Sequence, residues 1–204
     1  MSITPEEIKK FGAFIIVVII VMAILVPIGG AYNSLVQKDV TCEQMKANVQ
    51  TALERRADLV PNLVSTIEGS AAFEHDTLTD VISARGQATK IKEQIASAQT
   101  VEDLQASQNE LGAVIGRLLL VYEQYPVLQT TVSFKELQAQ LTATENQINA
   151  ERNNYNAAVT DYKVTCRAFP SVVIARIFGF NENKWSMFQV YEGKGEVPVV
   201  KFDL

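Results

Sequence analysis

The sequence predicts an all-α protein: an N-terminal transmembrane helix, a long antiparallel helical bundle of about four helices, and a short C-terminal β-hairpin tail. Three observations carry that expectation. Residues 11–28, FGAFIIVVIIVMAILVPI, hold no charged side chain. Over residues 32–169 apolar side chains recur at helical spacing, in stretches joined by only a few residues, and such short joints make neighbouring helices antiparallel. Beyond Pro170 the pattern breaks into short apolar runs punctuated by glycine.

The apolar run comes first. At ~1.5 Å per residue, residues 11–28 reach ~27 Å, close to the thickness of a bilayer's hydrocarbon core. A secretory signal has a shorter apolar core that ends in small residues at a cleavage site. This core is longer, is rich in β-branched residues and ends in VPIGGAYNS, so a retained single-pass anchor in the cell membrane is expected. Residues 1–10 form a short tail carrying Lys9 and Lys10, whereas the first cations after the run are Lys38 and Lys46. The positive-inside rule then favours a helical domain outside the cytoplasm. Gly29 and Gly30 follow Pro27 and predict a hinge over 29–31.

The bundle is expected over 32–169. A first helix runs to Ile67 and breaks at Gly69; a second covers 73–98. Thr100 caps a third, with Glu102 and Asp103 in its first turn, and Pro126 stops it. Thr131 or Ser133 caps a long fourth helix over 134–169, stopped by Pro170. Residues 170–184 read as an apolar membrane-proximal segment. Residues 185–204 read as a hairpin, SMFQVY and VPVVKF flanking a glycine-containing turn.

Inventory removes several functions. A net charge of −5 argues against nucleic acid as partner, because phosphate contacts need a basic surface. Cys42 and Cys166 are too distant in sequence for a local metal motif, and His75 is the single histidine. No base, orienting group and oxyanion site come together, so neither a reaction nor a cofactor is expected.

The stretch LERRADLVPNLV (53–64) raises a question of packing. At about 100° per residue, Leu53, Val60, Leu63, Val64 and Ile67 share one face, and Arg56 falls inside it. Arg55, Asp58 and Asn62 fall on the opposite face, an outward interaction surface. On the fourth helix Phe134, Leu137, Leu141, Ile148, Tyr155, Val159 and Tyr162 make the apolar stripe, with Glu145 and Arg152 in or beside it. A buried charge needs a partner. An antiparallel pairing with Tyr32 near Phe169 sets Arg56 opposite Glu145. Arg152 lands near Val49 and must look to Glu145 or to polar Gln and Asn neighbours. Arg56, Glu145 and Arg152 thus read as an interhelical polar network that sets register, and Arg56→Ala costs roughly 3–5 kcal/mol if it strands a buried carboxylate. The alternative is that these long side chains snorkel to solvent at a helix edge. Pro61 removes one backbone donor and predicts a kink.

YNSLV, LERRADLVPNLV, YEQYPVL, FKELQAQLTATENQINAERNNYN and FPSVVIARIFGF, in that order, resemble the LemA family of bacterial membrane-anchored helical proteins. The resemblance implies one N-terminal transmembrane helix, a long antiparallel helical domain and no established enzymatic activity. Three positions depart from the family. Lys46 stands where a tryptophan is frequent, and SAAFEH replaces YxxHE, with Ser70 and Phe73 in place of the aromatic residue and the histidine. His75 is not the family histidine.

The expected function is therefore a non-enzymatic structural or assembly protein of the bacterial cell envelope, homo-oligomeric and seated in the lipid bilayer. The alternative is an adaptor or sensor docking another membrane protein, such as a membrane protease. Membrane-proximal or oligomer contacts are expected from Phe169, Ile174, Ile177, Phe178, Phe180, Trp185, Phe188, Val199 and Phe202. The hairpin is expected to pair with the next copy through an open edge, or else to fold back with Trp185 and Phe188 as anchors. Cys42 and Cys166 come to the same end of the bundle, offset by ~10 Å along the axis, which favours small core residues over a disulfide.

Overall fold

A computed structural model describes residues 5–69, 75–125, 128 and 132–189, apart from the side chains of residues 5–10, 13, 17, 21, 23–25, 75 and 76. Among the described residues five helices are defined end to end: α1 (Pro5–Glu68), α2 (His75–Ser97), α3 (Val101–Gln124), α4 (Val132–Arg167) and α5 (Ser171–Phe178).

α1 is the axis of the molecule. Its 64 residues make a rod of ~96 Å at 1.5 Å per residue. The expected hinge is corrected here, because α1 runs without interruption through residues 29–31. Each glycine costs a helix ~1 kcal/mol relative to alanine. A helix already propagated on both sides, each added residue gaining its own hydrogen bond, absorbs that cost. Pro27 and Pro61 also lie within α1. Among the described residues no helix is long and apolar enough to cross a membrane; the 11–28 run includes positions whose side chains fall outside them.

α4 lies along α1 in the opposite sense. Moving up α1 from Lys38 to Arg56 moves down α4 from Asp161 to Glu145, the ion-pair partners of each. The facing series are heptads: Leu35, Cys42, Val49 and Leu63 are buried on α1, and Phe134, Leu141, Ile148, Tyr155 and Tyr162 on α4. Seven-residue spacing keeps one seam facing its partner along two long helices.

α2 folds back along the upper part of α1. Lys46 Nζ donates to Gln99 O at 2.8 Å, Gln50 Nε2 to Ala96 O at 3.2 Å and Arg85 Nη2 to Ser65 Oγ at 2.7 Å. α3 starts at the expected cap: Asp103 N–H donates to Thr100 Oγ1 and Thr100 N–H to Asp103 Oδ2, which satisfies two end donors reciprocally. α3 packs on α2 and α1, and Tyr122 near its end stacks on Phe134 of α4.

α4 ends at Arg167, two residues short of the expected Phe169. The apolar segment after it is the short helix α5, which packs on α1 and α4. It closes at Gly179, whose φ of +78° suits a residue without Cβ; Phe180 N–H then donates to Ala175 O at 2.9 Å.

The expected hairpin is corrected in its first half. No strand occurs among the described residues, and residues 186–189 have no regular structure. They lie on α4, whose side chains take the hydrogen bonds a second strand would have supplied. The second half, residues 197–202, lies outside the described residues.

Candidate functional site

Three groups of side chains gather most of the sequence-predicted positions: the α1–α4 ion pair, a C-terminal strap, and an apolar patch at the foot of the bundle.

Arg56 continues the α1 heptad between Val49 and Leu63 and is its one charged member. Its Nη1 meets Glu145 Oε2, with the Arg56 side chain 13% and the Glu145 side chain 36% exposed. Arg56 Nε, buried in the seam, has no hydrogen-bond partner. A charge in an apolar seam costs stability while excluding other registers. The exposure of Glu145 lowers the expected cost of Arg56→Ala to about 1–3 kcal/mol. Replacing the pair with Met and Leu should recover that loss or exceed it. Thermal melts of the two variants check this; a melting point for Arg56→Ala equal to wild type would show that the pair contributes nothing.

Arg152 does not join this pair. It lies two turns further along α4, where the returning C-terminal segment meets it. Its Nη2 donates to Gln189 O at 2.7 Å, its Nη1 to Gln108 Oε1 at 3.4 Å, and its guanidinium lies 5.1 Å from the Phe188 ring centre. The expected three-residue network is thus a pair plus an arginine clamp on the tail. The outward face also needs revision. Arg55, Asp58 and Asn62 are exposed, but Asp58 Oδ1 takes Lys92 Nζ of α2 at 2.5 Å, so one flank of that face is an α1–α2 contact.

Residues 181–189 form the strap. Tyr162 OH donates to Asn181 O, and Arg167 pairs with Glu182. Asp39 of α1 takes Lys184 Nζ at 2.7 Å and Trp185 Nε1 at 2.8 Å. Tyr155 OH donates to Ser186 O at 2.8 Å. The Asn156 side-chain amide reads the strap as a neighbouring strand would: Phe188 N–H donates to Asn156 Oδ1 at 2.9 Å, and Asn156 Nδ2 donates to Phe188 O at 3.1 Å. Phe188 is buried against Tyr155, and Trp185 is half-buried against the core. Both therefore make contacts within the chain.

The remaining predicted contacts divide by depth. Ile174 is buried and Phe180 packs against the core. Phe169, Ile177 and Phe178 are 85%, 69% and 57% exposed, and Val173 beside them 48%. Tyr32 of α1 holds this end, its ring 4.9 Å from Phe178 and 5.8 Å from Phe180. Val199 and Phe202 lie outside the described residues.

Cys42 and Cys166 are free thiols in the core. Burial first, then the Asp39 carboxylate, pushes the Cys42 thiol up to about 11, and burial also raises Cys166. Burial likewise raises the phenols of Tyr155 and Tyr162. Groups kept protonated in the fold add stability that is whole below their unfolded pKa and is lost as pH rises through the folded value. Stability should hold at neutral pH and fall from about pH 8.5, where an exposed thiol ionises, through pH 11. Melting points across that range check the slope. Maleimide at pH 7 should label neither thiol until the chain is unfolded, and rapid labelling of the native protein would contradict the burial.

Sequence reasoning missed Asp39, Asn156 and the two tyrosine hydroxyls. Tyr155 and Tyr162 were visible only as members of an apolar stripe. A polar Asn156 directly after a core tyrosine was the available signal. Among the described residues no group of three or more His, Cys, Asp or Glu side chains could hold a metal ion.

The LemA family model matches residues 45–202. The chain belongs to the LemA family. This LemA-family chain is 25% identical over 219 aligned residues to "Magnetosome protein MamQ 2" of Paramagnetospirillum magneticum, covering 97% of this chain and 79% of that protein. It is 26% identical over 168 residues to "Magnetosome protein MamQ" of Magnetospirillum gryphiswaldense, covering 73% and 62%. It is also 20% identical over 172 residues to "Protein LemA" of Metamycoplasma hominis, covering 84% and 76%. None of these names denotes a reaction.

Proposed function

We propose that this LemA-family chain is a membrane-anchored, non-enzymatic assembly protein of the bacterial cell envelope, working as a homo-oligomer with its bundle outside the cytoplasm. The observation that carries the reading is the continuity of α1. One helix holds the uncharged 11–28 run at one end and the core seam from Leu35 to Ile67 at the other. A run of that length and composition suits hydrocarbon. An unbroken helix transmits its orientation to the bundle, so every copy would stand at the same height and tilt. That regularity is what a planar or ring-like assembly of identical chains requires. The paired arginines and carboxylates and the buried tyrosines support a structural reading of the polar groups.

Extraction in mild detergent followed by mass measurement tests it. A large particle made of this chain alone is the expected result. A monomer that carries a second membrane protein would replace this reading with an adaptor, and recovery in the soluble fraction after breakage and high-salt washing would refute the anchor.

A further inference from the structure

We infer that α5 and Phe169 form a lipid-contacting foot, resting in the headgroup layer of the bilayer that the 11–28 run crosses. The inference rests on the anchored reading and adds a second, independent membrane contact to it.

α5 has two unlike faces. Ile174 and Ala175 are buried against the bundle, while Val173, Ile177 and Phe178 point outward together with Phe169 just before the helix. Four large apolar side chains are thus displayed within ten residues, and Arg176 is exposed among them. Such a stretch, apolar with a cation, suits the boundary between headgroups and acyl chains.

Height decides the occupant. Tyr32 packs on Phe178 and Phe180, which ties the foot to a known level of α1. That level is four residues beyond Ile28, the last residue of the run, or ~6 Å along the helix. The headgroup layer on each face of a bilayer is about 5–8 Å thick. Because α1 is unbroken between Ile28 and Tyr32, no turn can carry the foot away from that layer. Tyr32, Phe178 and Phe180 also make an aromatic cluster at the depth where aromatic side chains gather. A second copy fits the patch less well. The four side chains expose on the order of 500 Å², short of the ~800 Å² per partner of a stable protein interface.

The test uses the full chain reconstituted in nanodiscs of phosphatidylcholine and phosphatidylglycerol. A cysteine introduced by Ile177→Cys is labelled with an environment-sensitive fluorophore. The native thiols are buried, and the unsubstituted chain carried through the same reaction gives the background. Ile19→Cys reports on the apolar run, and Ile82→Cys, 50% exposed on α2, reports on water. Nitroxides near the headgroup should quench the Ile177 label several-fold more than the Ile82 label, and nitroxides deep in the acyl chains should quench the Ile19 label most. A deep-quenched Ile19 label beside an Ile177 label that behaves like Ile82 would overturn the foot and leave the anchor standing. An Ile177 label shielded from aqueous iodide yet untouched by lipid nitroxides would assign the patch to protein and also overturn it. An Ile19 label in water would remove the anchor and the foot together.

Discussion

Phe188→Ala is expected to release the strap from α4 at a cost of about 3–5 kcal/mol, the range for deleting a fully buried aromatic ring. Phe188 is 2% exposed. Its ring stands edge-on to Tyr155 with centres 5.4 Å apart, and the Arg152 guanidinium covers it. The segment is held at its upstream end by residues 181–185 and continues beyond 189, so it can lift before the bundle unfolds. The loss then appears first as local opening. Amide exchange over residues 186–189 should accelerate by about a hundredfold or more, since each 1.4 kcal/mol is a factor of ten, while the global melting point moves less. Trp185, three residues upstream of Phe188, is the single tryptophan and donates to Asp39 on α1, so its emission should shift toward that of a solvated indole. Asn156→Ala is the companion change. It keeps the ring but leaves the Phe188 N–H and C=O without partners, at about 1–3 kcal/mol. Unchanged exchange and unchanged tryptophan emission in Phe188→Ala would mean that the ring does not hold the strap.

The bundle was legible because its signal is long and redundant. Apolar residues at seven-residue intervals on two helices of more than 30 residues leave few registers that bury both stripes, and the register that does so brings Arg56 and Glu145 together. Thr100 was legible because a cap acts locally, on the next three residues. The hinge was misjudged for the opposite reason. Two glycines are a local penalty, and α1 is stabilised by everything on either side of them. The tail shows a different limit. Alternating apolar residues such as Phe188 and Val190 specify extended backbone but not its partner. Here the Asn156 amide takes the place of a strand, a pairing that depends on where the chain returns after Gly179. For Arg152 the sequence left Glu145 and polar Gln or Asn neighbours open as partners; it reaches Gln108, and its shortest hydrogen bond, to the carbonyl of Gln189, goes to that same returning segment.

Phe134→Ala is expected to destabilise the whole bundle by about 3–5 kcal/mol, with part of that loss coming from one ring pair. Phe134 is fully buried in the first turn of α4. Its ring lies parallel to that of Tyr122 in the last turn of α3, with centres 3.8 Å apart. α3 packs chiefly on α2 and α4 chiefly on α1, so this stack is a tie between two halves that otherwise meet mainly through α1. Stacked aromatic pairs contribute about 0.5–1.5 kcal/mol beyond their buried area, and the truncation also leaves a cavity where α4 begins. Unlike the strap, neither partner can lift away without opening the bundle. The loss should therefore appear in the global melt, with little change in helical signal before the transition. Tyr122→Phe keeps the stack and should melt near wild type, whereas Tyr122→Ala, at a half-buried position, should fall between the two. If Phe134→Ala melts within a degree of wild type, the ring pair carries no tie between the halves.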